Sequence, residues 1–270
     1  MKNYTSEGIH YQDLGDPQKL PIILIHGMTF DHTTWNPQIH VLKKNYRVIA
    51  YDMRGHGLSQ VGDGQYTYKM FVNDLNDLMD HLGIEKAVLC GLSMGGAISI
   101  RTYEMYPDRI RALIISDTRS EADSNDTKEW REDSIELIKN NGLKTFTNDF
   151  LEATFAKVSF KSHPEAVELI RNIMLSSSPR GICGALLAQA ARTDMKHVLP
   201  KIKVPTLIMI GENDNFTPLS SSQMMNEKIA NSELKIIPKA GHISNLENTL
   251  EFNRNLTEFL KKIKTINKSY

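Results

Sequence analysis

A chain of 270 residues is long enough for one α/β domain that carries an insertion and buries a sizeable core. Its 32 Lys and Arg balance its 32 Asp and Glu, which leaves no net field to gather nucleic acid or an anionic membrane surface. Cys90 and Cys183 make no disulfide framework, Met1 to Asp16 lacks the apolar core of a signal peptide, and no apolar run reaches spanning length, so the expected setting is the cytoplasm. Residues Gly8 to Leu14 are mixed in polarity and end in Gly15-Asp16-Pro17, a turn signal, and read as an edge strand or hairpin arm. Pro21-Ile22-Ile23-Leu24-Ile25 is a β-branched apolar run suited to a central strand, and it delivers His26-Gly27-Met28 at its carboxyl end. Open α/β sheets bind ligands at that end, so the loop can offer the Met28 N–H to an anion, while the His26 side chain is expected to hold its own loop. A helix is expected around Pro37 to Lys44, followed by a strand from Tyr46 to Tyr51 that opens into Asp52-Met53-Arg54-Gly55-His56-Gly57-Leu58-Ser59. There an Asp-Arg pair beside glycines reads as a brace for the turn. Phe71, Leu75, Leu78, Met79 and Leu82 then recur at helical spacing until Gly83 stops the helix.

The next stretch organises the rest. Lys86 to Cys90 is a short apolar strand, Gly91-Leu92-Ser93-Met94-Gly95 has the form Gly-x-Ser-x-Gly, and Ala97 to Tyr106 has the composition of a helix. A serine on so sharp a strand-to-helix turn stands clear of the sheet, with side-chain-free residues on both sides for steric reasons, and the Met94 N–H at the helix start can face a developing oxyanion. Ile110 to Ser116 reads as a further strand that leads to Asp117-Thr118-Arg119.

From Ser120 to about His197 no strand-like run occurs. Apolar residues such as Val167, Ile170 and Met174 keep helical spacing, with breaks at Gly142, Pro164 and Pro179 to Gly181, which predicts roughly four short helices. This gives a core of 1–119 and 200–270 and a helical cap of 120–199. Phe146, Phe150, Phe155, Phe160, Leu186 and Leu187 either line a cleft beneath the cap or hold the cap together, and holding it together is the reading preferred for any one of them. Strand character returns over Val204 to Ile210 and ends in Gly211-Glu212-Asn213-Asp214, with Thr217 and Pro218 expected as N-cap and first residue of a helix. Leu234 to Ile237 precedes Ala240-Gly241-His242, and Ser244-Asn245-Leu246-Glu247 has the form of a capping box opening the last helix. No internal repeat, low-complexity tract or metal-ligand spacing is present; His26, His32, His40 and His56 are scattered.

A serine hydroxyl needs a base within hydrogen-bond reach, and a neutral imidazole base needs a carboxylate to fix its tautomer. Ser93, Asp214 and His242 follow one another as nucleophile, acid and base, each on a loop after a predicted strand. Asp117, which also follows a strand, is the alternative acid.

Over nearly its whole length the chain resembles the α/β-hydrolase superfamily, on His26-Gly27, Asp52 to Ser59, the Gly91 to Gly95 elbow, Gly211 to Pro218 and Gly241-His242. It is most similar to small carboxylesterases, 3-oxoadipate enol-lactonases and cofactor-free haloperoxidases. That resemblance implies an α/β fold with a mostly parallel, twisted sheet flanked by helices and a small helical cap inserted between strands 6 and 7. It also implies Ser93 as nucleophile, Asp214 as acid, His242 as base, and the backbone N–H groups of Met28 and Met94 as oxyanion hole. The oxyanion loop departs from these relatives: it continues Met28-Thr29-Phe30-Asp31 without further glycines. Serine at the elbow, in place of aspartate, disfavours a haloalkane dehalogenase. The expected function is hydrolysis of small to medium carboxylic esters with no cofactor and no metal. The alternatives are a lactonase or C–C bond hydrolase with the same triad, or a small-molecule receptor of this fold. The expected partner is a small-molecule ester, not nucleic acid or membrane, with a homodimer also admitted.

Overall fold

The apolar runs of the sequence are dry on both faces, which requires a sheet covered on each side. In the computed structural model, which describes residues 3–266, they become β2 (Pro21–Ile25), β3 (Arg47–Tyr51), β4 (Ala87–Leu92), β5 (Ile110–Ser116) and β6 (Thr206–Gly211), nearly every residue of them buried. The less apolar β1 (Tyr11–Leu14) and β7 (Ser232–Ile237) are half-exposed and form the edges. The seven strands lie in the order β1-β3-β2-β4-β5-β6-β7, with β1 antiparallel to β3 and every other pair parallel. Helices α1 (Asn36–Leu42), α2 (Tyr68–His81), α3 (Met94–Met105), α9 (Leu219–Lys228), the single turn α10 (Ser244–Glu247) and α11 (Thr249–Ile266) connect or cover the strands. The Thr67 side chain caps α2 by accepting from the Met70 N–H. No helix among the described residues is long and apolar enough to cross a membrane.

Between β5 and β6 stand α4 (Asn125–Asn141), α5 (Leu143–Thr154), α6 (Ser159–Ser162), α7 (Pro164–Ser176) and α8 (Pro179–Ala190), with α4 packed on α8 and α5 on α7. The expected four helices are thus joined by the single turn α6. The cap also follows the fifth strand where the resemblance implied the sixth, because the described residues ahead of β1 form an isolated bridge between Tyr4 and His10 and no strand. Two local readings are corrected. Thr217 does not cap a helix: its hydroxyl donates to the Asp117 carbonyl, and α9 begins at Leu219 after Pro218. Nor is Ser244 to Glu247 a capping box, since the Ser244 hydroxyl goes to Asp117 and α11 starts separately at Thr249.

The strand order reverses at β2 and β4, a topological switch that opens a crevice at their carboxyl ends. Ile25 pairs with Gly91 and Leu92 with Ser116 in register, so the loops beginning at His26, Ser93 and Asp117 stand side by side. Gly211 pairs with Ile237, which brings the loops holding Asp214 and His242 to the same edge.

Candidate active site

The turn after β4 holds Ser93 at φ 53°, ψ −115°. A non-glycine residue pays of order 1–3 kcal/mol for such a backbone, and the surroundings must hold it there. They do so through backbone contact. A Cβ at Gly91 would lie 2.3 Å from the Gly95 carbonyl oxygen, and one at Gly95 would lie 2.2 Å from the Ile25 carbonyl oxygen, so neither position admits a side chain. The Ser93 N–H donates to the Ser116 carbonyl at 2.8 Å, and the Thr118 hydroxyl donates to the Ser93 carbonyl at 2.6 Å, pinning the elbow to the end of β5.

Ser93 Oγ lies 2.8 Å from His242 Nε2, and His242 Nδ1 lies 2.9 Å from Asp214 Oδ2. The other Asp214 oxygen accepts from the Phe216 and Thr217 N–H groups, both at 2.8 Å, so the carboxylate is fixed from its own loop. A carboxylate can only accept, which puts the imidazole proton on Nδ1 and leaves the Nε2 lone pair facing the serine. Such a chain can take the serine proton as the oxygen attacks an acyl carbon. Gly27 packs against the serine, a Cβ there falling 3.4 Å from the Ser93 Cβ, so Met28 follows directly beside the elbow. Met94 opens α3, where helix geometry leaves its N–H without an intrahelical acceptor.

Asp117, the alternative acid, is directed elsewhere. One of its oxygens accepts from the Gly211 N–H at 2.8 Å and the other from the Ser244 hydroxyl at 2.5 Å. Burial first, and then the negative charge of Asp214, pushes its carboxyl well above the ordinary carboxylate value. His26 behaves as expected: its Nδ1–H donates to the Gly27 carbonyl at 2.7 Å and its Nε2 accepts from the Met53 N–H at 3.0 Å, while burial lowers it to about 3 and keeps it neutral.

The loop after β3 is a brace, but not through an Asp-Arg pair. Asp52 accepts from the His32 N–H and Nδ1, the Leu58 N–H and His10 Nδ1, whereas Arg54 forms a two-pronged pair with Asp74 of α2. His10, His32 and Asp52 bring ligand-type atoms within 4.8 Å of one another, a grouping the scattered histidines did not announce. With four N–H donors already on its two oxygens, the carboxylate there is satisfied as a hydrogen-bond hub.

The cap closes over these groups, and here sequence reasoning missed the most. The His242 N–H donates to the Thr154 carbonyl at the end of α5. Glu247, wholly buried, accepts from the Ala156 N–H at 2.8 Å and the Ser159 hydroxyl at 2.6 Å on the cap, and from the Ile243 N–H at 3.0 Å beside His242. Phe150 does more than hold the cap together: its ring meets Phe30 and Phe216, and Phe216 lies 4.8 Å from the His242 ring. Phe146, Phe155 and Leu186 are buried, whereas Leu187 and Phe160 are exposed. Beside Ser93 a cavity of about 20 Å³ is walled by Thr118, Phe216, Thr217, Gln189 and three arginines, 119, 131 and 192. Arg119 comes from the loop after β5 and Arg131 and Arg192 from the cap, with no motif around them, so nothing in the sequence tied them to the serine.

A family model for the alpha/beta hydrolase fold matches residues 21–249. The chain belongs to the α/β-hydrolase family. This α/β hydrolase is 28% identical over 256 residues to a 3-oxoadipate enol-lactonase of Acinetobacter baylyi, covering 94% of this chain and 93% of that protein. It is 30% identical to a non-heme chloroperoxidase of Kitasatospora aureofaciens, over 96% and 98% of the two chains. Its structure superposes on a thermophilic esterase from Thermogutta terrifontis, solved with malate bound, with a TM-score of 0.91 at 34% identity over 97% of each chain.

Proposed function

We propose that this α/β hydrolase cleaves carboxylic esters of small to medium acyl compounds through an acyl-enzyme on Ser93. His242 removes the serine proton and passes it to the leaving alcohol, Asp214 holds the imidazole tautomer, and the Met28 and Met94 N–H groups receive the oxyanion. A water activated by His242 then releases the acid. The observation that carries this reading is the unbroken relay from Ser93 Oγ through His242 to Asp214, with links of 2.8 and 2.9 Å. Likeness to an esterase structure supports the linear ester as substrate; likeness to an enol-lactonase supports a cyclic ester as the second reading, opened by the same steps. Steady-state turnover of p-nitrophenyl acyl esters of increasing chain length, beside a panel of lactones, tests both. Multiple turnovers on short-chain esters are expected, and they must vanish in Ser93→Ala. Persistent turnover in that variant, or none by the wild type on either panel, contradicts the proposal.

A further inference from the structure

The cavity beside Ser93 has a charge imbalance that ester cleavage alone does not require. Arg131 from α4 and Arg192 just after α8 are each 3% exposed at the side chain, and Arg119 is 23% exposed. All three converge on one carboxylate: Arg131 Nε donates to Asp123 Oδ2 at 2.5 Å, while Arg119 and Arg192 reach Oδ1 at 2.8 and 3.2 Å. Asp123 itself is buried, and although burial works to raise it, the Arg131 hydrogen bond and the three positive charges hold it below the ordinary value. Of the other groups here, Glu121 receives Arg192 Nη2 only at its backbone carbonyl, its side chain being taken by Ser221 and Ser120, and Tyr68 is neutral, donates to Gln189 and carries the Arg192 guanidinium over its ring at 5.9 Å, a contact that offers no second negative charge. Three cations thus share one carboxylate.

Buried charges are tolerated when paired and satisfied, and these are not fully so. Arg192 Nε is buried without a hydrogen-bond partner. Arg131 Nη1 has for company the Met28 thioether sulfur at 3.9 Å, a weak acceptor, and burial pulls this guanidinium down from its usual value despite Asp123. Both arginines line the cavity beside Ser93, so the unpaired Arg192 Nε and the weakly paired Arg131 Nη1 belong to groups near the reacting carbonyl and not to a distant face.

Resting on the proposed hydrolysis at Ser93, we propose that Arg131 and Arg192 select substrates whose acyl part carries a free carboxylate a few atoms from the scissile carbonyl. Guanidinium forks match a carboxylate in shape and charge, and an incoming anion supplies the pairing that Asp123 alone cannot. At about 20 Å³ the present space holds one water and not a substrate group, so a wall moves on binding. Arg192 is the wall with room behind it: it also lines a recess of about 350 Å³ whose other charged members are Lys69, Arg101 and Glu104, again with cations in excess.

The test compares monoethyl succinate with ethyl levulinate, which has the same length and replaces the carboxylate with a neutral ketone. The kcat/KM ratio of the acid to the ketone should be about tenfold or more in the wild type, the worth of a hydrogen-bonded charge pair, and should fall about tenfold in Arg192→Gln. Asp123→Asn should raise the ratio, because it frees donors for the substrate, an effect that loss of structure would not produce. A wild-type ratio near one, or a ratio unchanged in both variants, overturns the inference while leaving ester hydrolysis intact. Succinate against succinamide in thermal unfolding reads the same site without turnover: succinate alone should raise the midpoint, and less so in Arg192→Gln or, if that variant does not fold, in the more exposed Arg119→Gln. Equal shifts by succinate and succinamide, or none, count against the anion site even if no ester is cleaved.

Discussion

Replacing Asp214 by Asn isolates the acid of the relay from the loop that carries it. Asp214 Oδ1 accepts two N–H groups at 2.8 Å, and an amide oxygen accepts them equally, so the loop and the fold should survive. The amide nitrogen then faces His242 Nδ1, where the carboxylate oxygen stood at 2.9 Å, and two donors cannot share that contact. The imidazole must turn its lone pair to the amide and put its proton on Nε2, 2.8 Å from Ser93 Oγ, where it can no longer act as base. In serine proteases this wrong-tautomer effect is worth about 10⁴ in kcat, which corresponds to about 5.5 kcal/mol of barrier. The paired variant Asp117→Asn should differ in kind. Its amide still accepts from Gly211 and can donate to the Ser244 hydroxyl, and it removes a carboxyl that burial and Asp214 disfavour in ionised form. An acid raised in the folded state costs stability as pH climbs above its ordinary value, so Asp117→Asn should be as stable as wild type at neutral pH, or more so, with activity within a few-fold. Steady-state kinetics on a p-nitrophenyl ester and thermal melts of both variants provide the comparison. A severe loss in Asp117→Asn with a mild one in Asp214→Asn would refute the assignment of the acid.

Glu247→Gln should lower stability by about 1–3 kcal/mol, since either amide orientation leaves a buried N–H, of Ala156 or of Ile243, facing another donor. Turnover should fall with it because Ile243 adjoins His242, and a denaturant midpoint and a rate equal to wild type would show that this tie between cap and base is unimportant. His26, lowered from 6.5 to about 3 by burial, is neutral in the fold and protonates more readily when unfolded. Its contribution is therefore complete above its ordinary value and is lost as pH falls toward its folded one, at up to about 1.4 kcal/mol per pH unit. Denaturant unfolding of His26→Gln across that window should show a flatter dependence than wild type, and an equal slope would assign the acid sensitivity elsewhere.

What the sequence disclosed and what it hid follow from the range of the interactions. The strands were legible because burial on both faces leaves unbroken runs such as Ile22 to Ile25 and Ala112 to Ile115, and the elbow because backbone contact at Gly91 and Gly95 excludes every side chain. Ser93, Asp214 and His242 were readable because each follows a strand, and a parallel sheet delivers its strand ends to one edge. Interactions across the fold left no local trace. Glu247 sits three residues after Ser244, which is the spacing of a capping box, yet its partners are Ala156 and Ser159 on the cap and the Ile243 N–H, not Ser244; Thr217 precedes a proline as a cap would, yet its hydroxyl serves Asp117. Of the arginines beside Ser93, Arg131 lies on α4, Arg192 just after α8 and Arg119 in the loop after β5, and only the packing of α4 on α8 brings 131 and 192 to one carboxylate.

Labelling of the native protein with a fluorophosphonate, read by intact mass and peptide mapping, tests the proposed nucleophile most directly, because the reagent reports only a serine activated by a base. A single adduct located on Ser93, absent from Ser93→Ala and slowed in Asp214→Asn, is the expected result. No adduct on the folded wild type, or an adduct that persists in Ser93→Ala, would contradict it.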